Sequence, residues 1–299
     1  MLGLVLGALR GAIAFVLFGV NTAFWGMAVF LMGLVKLLWP AGRWRKRCVL
    51  IMAGLGDAWV VINRSIWKLL VPTQLEVRGM PELRRDGRYL VIANHQSWTD
   101  ILVLFVVFNG KSAFIRFFLK HVLLFVPFLG WGCWALEFPF MKRHTREYLA
   151  RHPEKRNEDF ETTRRSCRHY RHVPVTIANF IEGTRFTPKK HRLQASRYRN
   201  LLEPRTGGIA FVLASMGEQL DGIFDVTIVF PGRHHDVSFL EFLIGRIPRI
   251  VVVIRELPLA PRFNDREVIS PGPRRDELKA WVRAIWDEKD LLLDEVKAG

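Results

Sequence analysis

The run from Gly11 to Val35 contains no charged side chain, and Arg10 alone interrupts the apolar stretch that begins at Leu2. Such a run cannot stay in water as a helix, and about 20 apolar residues already span a bilayer core. A secretory signal has a shorter apolar core, roughly 7–15 residues, before a small-residue cleavage site; this run is too long for one. A basic cluster follows, Arg43, Arg45, Lys46 and Arg47. Basic flanks stay on the cytoplasmic side of a membrane, so the rest of the chain is expected there. The next apolar run, Cys48 to Asn63, is shorter and carries Asp57. That length suits an interfacial or re-entrant helix better than a second span. Residues 1–70 are therefore expected to form a membrane anchor, either one span with an interfacial helix or a helical pair within one leaflet. Trp25, Trp39, Trp44, Trp59 and Trp67 in this region suit the membrane interface.

Residues 71–299 read as a domain facing the cytoplasm. The whole chain carries 44 Lys and Arg against 28 Asp and Glu, a net charge of +16, so an acidic partner is expected. Nucleic acid is the first candidate for a basic soluble domain. The apolar N-terminus, and the lack of zinc-finger spacing or an RNA-binding aromatic motif, turn the reading to membrane lipids or an anionic substrate, with no nucleic acid. Cys48, Cys133 and Cys167 are far apart and form no C-x-x-C pair, which argues against a disulfide framework or a structural zinc site.

Apolar, strand-like runs recur through the domain at Gln74–Arg78, Tyr89–Ala93, Val173–Phe180, Phe224–Phe230 and Arg249–Ile254, with Glu137–Phe140 also strand-like. Helical segments fall between them, at Ile101–Phe108 and Gly207–Met216, and a charged stretch runs from Met141 to Arg171. Leu278, Trp281, Val282, Ile285 and Trp286 recur at helical spacing, an amphipathic C-terminal helix expected to pack on the domain. This alternation predicts an α/β fold, a mixed sheet flanked by helices. Functional groups then gather at strand ends.

Two strand ends carry chemistry. The Tyr89–Ala93 strand runs into Asn94-His95-Gln96-Ser97-Trp98-Thr99-Asp100. Histidine titrates near neutral pH and is the usual base for a hydroxyl; an acidic partner on its other nitrogen holds the tautomer. If the chain turns from strand to helix between them, Asp100 folds back onto His95. No G-x-S-x-G elbow is present, so a hydroxyl acceptor would attack directly. The second strand end is Glu182-Gly183-Thr184-Arg185. Arg185 offers a planar fork suited to phosphate. Gly183 permits close backbone approach, and Glu182 is placed to orient Arg185 or a ligand hydroxyl. Lys142 and Arg143 form a further basic pair after Phe140.

Taken together and in order, these segments resemble the four sequence blocks of the glycerolipid acyltransferase superfamily, specifically the 1-acylglycerol-3-phosphate acyltransferases. Asn94–Asp100 resembles the first block, Phe138–Arg143 the second, Phe180–Arg185 the third and Val226–Gly232 the fourth, with its proline at Pro231. Phe186–His191 and Leu202–Gly207 look like the subgroup that includes lysocardiolipin acyltransferases, as does the long charged spacer. The likeness covers about residues 70–260. Ile181 stands where the third block usually has proline, and the second block lacks the commoner Ile-Asp-Arg ending. The resemblance implies catalytic His95 and Asp100, with Arg143, Lys142, Glu182, Gly183, Thr184 and Arg185 binding substrate. It implies a thioester donor, acyl-CoA or acyl-carrier protein, a lysophospholipid acceptor, no metal or other cofactor, and a bacterial-type inner-membrane setting. Lysophosphatidic acid is the default acceptor, with lysophosphatidylglycerol an alternative. The aromatic-rich stretch Phe114–Trp134 is then a candidate wall for the acyl chain. Two rival readings are a lipid-binding module without activity and a metal-dependent hydrolase built on His169, His172, His234, His235 and Asp236. The intact His95/Asp100 pair argues against the first. The charged, loop-like setting of those histidines argues against the second.

Overall fold

The computed structural model describes residues 2–38, 42–142, 148, 151–152, 170, 173–233, 237–258, 263–264 and 266–298. The apolar N-terminus forms one unbroken helix, α1 (Leu2–Leu37, 36 residues), and a short connection folds α2 (Gly42–Leu70, 29 residues) back along it. The second apolar run is therefore the middle of a longer helix that begins in the basic cluster. Between the two helices the buried amide of Asn21 donates to Asn63 Oδ1 at 2.8 Å, and Trp59 Nε1 donates to Thr22 at 3.1 Å. Polar groups in an apolar seam need such partners.

The remaining elements are β1 (Gln74–Arg78), β2 (Arg88–Ala93), α3 (Thr99–Phe108), β3 (Ile115–Phe117), β4 (Leu119–Lys120), α4 (Leu129–Ala135), β5 (Phe140–Met141), β6 (Val175–Phe180), α5 (Pro188–Gln194), α6 (Gly207–Met216), β7 (Gly222–Val229), α7 (Phe239–Leu243), β8 (Arg249–Leu257) and α8 (Pro273–Ala298). Six strands form one sheet in the order β1-β8-β7-β2-β6-β3; β4 and β5 form a small pair. β7 and β8 run antiparallel, and the other neighbours in the large sheet are parallel. This is the expected mixed sheet. The strand-like Glu137–Phe140 differs: pairing is confined to Phe140–Met141, because Glu137 sits at φ 64° in a turn after α4.

The two faces of the sheet are covered by different helices. Tyr89, Val91 and Ala93 point to a core shared with α1, α2 and α3. Leu90 and Ile92 point to a second core, filled by α6 and by Leu278, Val282, Ile285 and Trp286 of α8. Strand alternation makes this division.

α1 lies against the domain along its length. A Cβ on Gly11 would come within 2.8 Å of Ile244, one on Gly26 within 2.5 Å of the Phe128 carbonyl, and one on Gly33 within 2.6 Å of Ala135. At its C-terminal end the buried Lys36 Nζ donates to the Ala135 carbonyl at 3.0 Å and pairs with Glu137 at 3.1 Å; Arg45 of α2 meets the same carboxylate at 2.7 Å. The helix keeps an outward apolar face that includes Val5, Leu9, Phe15, Val16, Val20 and Phe24.

On the other face, α8 carries a buried cation. Lys289 Nζ pairs with Asp225 of β7 at 2.7 Å, both side chains fully buried, and donates to Val226 O and Thr227 Oγ1. Arg255 holds the other Asp225 oxygen at 2.7 Å. Removing one partner of a buried pair strands the other charge, at a cost of about 3–5 kcal/mol. Lys289→Ala is therefore expected to lower unfolding stability by about that amount in a denaturant titration. A loss below about 1 kcal/mol would show that the pair is solvated.

Candidate active site

β2 and β6 are parallel and in register to their last residues, Ala93 opposite Phe180. Their C-terminal ends therefore open side by side, and the loops carrying His95 and Glu182 leave the sheet together. Asn94 fastens the first loop to the strand on the other side. Its buried amide donates to Ile228 O and accepts from Ile228 N–H, both at 2.9 Å, continuing the ladder with β7 through a side chain.

The loop then winds around one carboxylate. Asp100, fully buried in the first turn of α3, accepts through Oδ2 from the N–H of Gln96 at 2.6 Å and of Ser97 at 2.7 Å. His95 Nδ1 lies 2.9 Å from the same oxygen. A carboxylate oxygen already receiving N–H donors accepts from the ring, so Nδ1 carries the proton and Nε2 keeps its lone pair. Asp100 thus shapes the turn and sets the tautomer. The short sequence separation works because strand gives way to helix within it.

His95 is held from three further directions. Its backbone N–H donates to Glu182 Oε1 at 2.7 Å, and its carbonyl accepts from Phe186 N–H at 2.7 Å. Its ring stacks on Phe180, centroids 4.1 Å apart and planes 16° from parallel. Phe117 stacks on the same phenyl ring at 5.6 Å. The imidazole side chain remains 13% exposed, enough to leave an edge open to a substrate.

Glu182 is fully buried. Its second oxygen accepts from Leu202 N–H at 3.1 Å, so both oxygens are tied to backbone rather than to Arg185. Burial pushes its pKa up to about 8, against the N–H donors of His95 and Leu202 that hold it down; the nearby Asp100 charge raises it further. Gly183 takes φ 71°, a left-handed conformation that side chains rarely adopt, and turns the chain over the site. Thr184 Oγ1 accepts from Lys190 Nζ at 2.8 Å, and the same ammonium donates to the Arg185 carbonyl. The exposed Arg185 guanidinium lies 5.3 Å over the Trp98 ring, a cation–π contact that orients the fork without occupying its donors.

His95, Asp100, Glu182, Gly183, Thr184 and Arg185 therefore meet at one end of the sheet. Lys142 is exposed and directly follows β5 of the small two-stranded sheet. Arg143, His169, His172, His234, His235 and Asp236 lie outside the described residues. Among the described residues no group of three His, Cys, Asp or Glu side chains is arranged to hold a metal. Asn94, Trp98, Phe180, Lys190 and the Leu202 N–H also build the site, and sequence reasoning gave them no role. Their places in or beside the two motifs were the available signal; their contacts depend on the pairing of distant strands.

The chain is similar to known acyltransferases. An acyltransferase family model matches residues 74–230, from β1 to the end of β7. An uncharacterized acyltransferase of Schizosaccharomyces pombe is 25% identical over 268 residues, covering 78% of this chain and 71% of the relative. The human 1-acyl-sn-glycerol-3-phosphate acyltransferase delta is 29% identical over 224 residues, covering 69% of this chain and 52% of the relative, so the chain spans about half of that protein. The crystal structure of the 1-acyl-sn-glycerophosphate (LPA) acyltransferase PlsC from Thermotoga maritima superposes with a TM-score of 0.55 at 17% identity, covering 97% of this chain and 96% of that one, and establishes the likeness of fold. With a matched family model over more than half its length and the strand-end site inside that match, the chain belongs to the acyltransferase family.

Proposed function

We propose that this acyltransferase moves a fatty acyl group from a thioester to the free hydroxyl of a lysophospholipid, with 1-acylglycerol-3-phosphate as acceptor and phosphatidic acid as product. The observation that carries the reading is the His95–Asp100 pair, its Nε2 free, in a site that also presents Arg185. The relatives named for 1-acyl-sn-glycerol-3-phosphate support the choice of acceptor.

In this mechanism Nε2 takes the proton of the acceptor hydroxyl as its oxygen attacks the thioester carbonyl. Asp100 stabilises the imidazolium that forms. The tetrahedral intermediate collapses by breaking the carbon–sulfur bond. The thiolate takes the proton back from His95, leaving ester and free thiol. No serine or cysteine of the protein is acylated. Arg185 binds the acceptor's phosphate, and Glu182 acts through the backbone as a positioning residue for His95.

The apolar helices support action at a bilayer. At roughly 1.5 Å per residue α1 is about 54 Å long, well beyond a hydrocarbon core of about 30 Å. It also touches the domain from Gly11 to Lys36. A helical pair lying in one leaflet accommodates both facts, with the domain on the cytoplasmic side of the inner membrane. The protein should then stay with membranes at high salt and leave in detergent; release by salt alone would contradict this placement.

Purified protein is expected to acylate lysophosphatidic acid from a labelled thioester, and His95→Ala to abolish turnover without loss of fold. Arg185→Ala should raise KM for that acceptor about tenfold or more, as expected for a lost charge-assisted contact. A neutral monoacylglycerol acylated equally well by wild type would remove the phosphate clamp from the account.

Glu182→Gln tests positioning. Above about pH 8, where Glu182 is ionised, glutamine replaces one of its two acceptor oxygens by an NH₂ group turned toward a backbone N–H, so the His95 loop shifts. A misplacement of about 1 Å costs roughly 100-fold in rate, and a fall in kcat of that order with little change in acceptor KM is expected. A second readout follows from the proton. The folded chain keeps a proton on Glu182 that the unfolded chain releases, between pH 4.5 and about 8. Stability should therefore fall as pH rises through that window, and this slope should flatten in Glu182→Gln. Identical pH–stability curves for the two proteins would show that Glu182 is ionised in the fold.

A further inference from the structure

A cavity adjoins the site on the face of the sheet turned away from α1 and α2. It encloses about 290 Å³, and its lining includes Arg205, Arg275, Lys279 and Arg283, with Glu203 the acidic residue among them. Arg275, Lys279 and Arg283 stand four residues apart on α8, so they project along one line of the helix. Like charges at this spacing repel and weaken a helix; stability gives no reason to collect them. Lys279 has an exposed partner in Asp276 at 2.7 Å, whereas Arg205 and Arg283 form no ion pair with a described residue. α6 begins at Gly207 in the same cavity wall without a side-chain cap, so its first N–H groups add to the positive field.

The cavity is joined to the active site by short contacts. Arg205 N–H donates to Ile181 O at 2.6 Å, and the Arg205 side chain packs 3.1 Å from where a Cβ on Gly183 would stand. Leu202, three residues earlier, donates to the Glu182 carboxylate that holds His95. The opposite face of the sheet carries the outward apolar helices. An anion entering among α6 and α8 thus comes from water and not from a lipid headgroup.

We propose that this cavity holds the phosphates of the acyl donor, a nucleotide-linked thioester of the coenzyme A class, and that the donor's arm runs past Gly183 to bring its carbonyl to His95. The assignment rests on the acyl-transfer reading above and adds where the donor binds. Arg205, Lys279 and Arg283 pair with its phosphates, while Arg275, whose guanidinium also donates to Val268 O at 2.8 Å, braces the wall.

The test uses the full chain in detergent and the double variant Lys279→Glu/Arg283→Glu, both positions exposed on α8. Coenzyme A affinity is measured by titration, and kcat/KM is compared for an acyl-CoA and for the same acyl group on N-acetylcysteamine, which lacks the nucleotide. Reversal of two charges should weaken coenzyme A binding about tenfold or more. It should lower kcat/KM by a similar factor more for acyl-CoA than for the truncated thioester. Unchanged coenzyme A affinity, or equal losses with both donors, overturns the proposal. So does a wild type that binds no coenzyme A and takes acyl groups from a carrier protein, or a variant that loses affinity for phosphatidylglycerol vesicles while keeping coenzyme A. If the double variant fails to fold, Arg205→Gln is read by the same criteria. A wild type that binds coenzyme A through these residues yet acylates no lysophospholipid would refute the proposed acceptor chemistry and leave the cavity assignment standing.

Discussion

The hydrogen bond from His95 N–H to Glu182 is the contact on which the site depends. It exists because β2 and β6 are parallel neighbours whose ends align, Ala93 beside Phe180. A parallel sheet sends successive strand ends to the same edge, and here two loops far apart in sequence are locked there by one buried carboxylate. The Phe186 N–H on the His95 carbonyl adds a second rung between the same loops. Asp100 then fixes the ring, and Phe180 supports its face. Backbone and side chain of the base are therefore positioned by separate groups, so each is open to separate mutation.

The two faces of the sheet carry different helices. One face carries α1 and α2 with their outward apolar side chains. The other carries α6 and α8 and the cationic cavity. The proposed reaction joins a lipid acceptor with a water-soluble donor, and the edge where His95 sits borders both faces. Under this account two groups of cations have separate uses, Arg185 at the lipid phosphate and Arg205, Lys279 and Arg283 at the donor phosphates.

Much of this was legible in the sequence. Buried strands read as short apolar runs, and the Gly207–Met216 helix begins and ends where its apolar pattern does. The Asn94–Asp100 turn could be anticipated because its interactions are local. The partner of Glu182 could not. Sequence offered it Arg185, its neighbour three residues on, or a ligand hydroxyl, whereas strand pairing turns it to the backbone of His95 and Leu202. Phe180 read as an ordinary strand residue, and its stacking on His95 appears only once β2 and β6 are adjacent. Hydropathy has a similar blind spot for α1, since an apolar side chain is satisfied equally by lipid or by protein. The contacts of Gly11, Gly26 and Gly33 with the domain are what distinguish the two along that helix.

The central claim is that the Asp100 carboxylate, held against Nδ1–H, makes His95 a base, and Asp100→Asn tests the charge in that claim most directly. Asparagine can keep an oxygen for the Gln96, Ser97 and His95 donors, which all meet at Oδ2, but it removes the negative charge that stabilises the imidazolium formed in the reaction. The account predicts a loss of about 100-fold or more in kcat for lysophospholipid acylation, on the scale of what a positioned base contributes, with the melting temperature and acceptor KM close to wild type. Turnover within tenfold of wild type in a folded Asp100→Asn protein would contradict it.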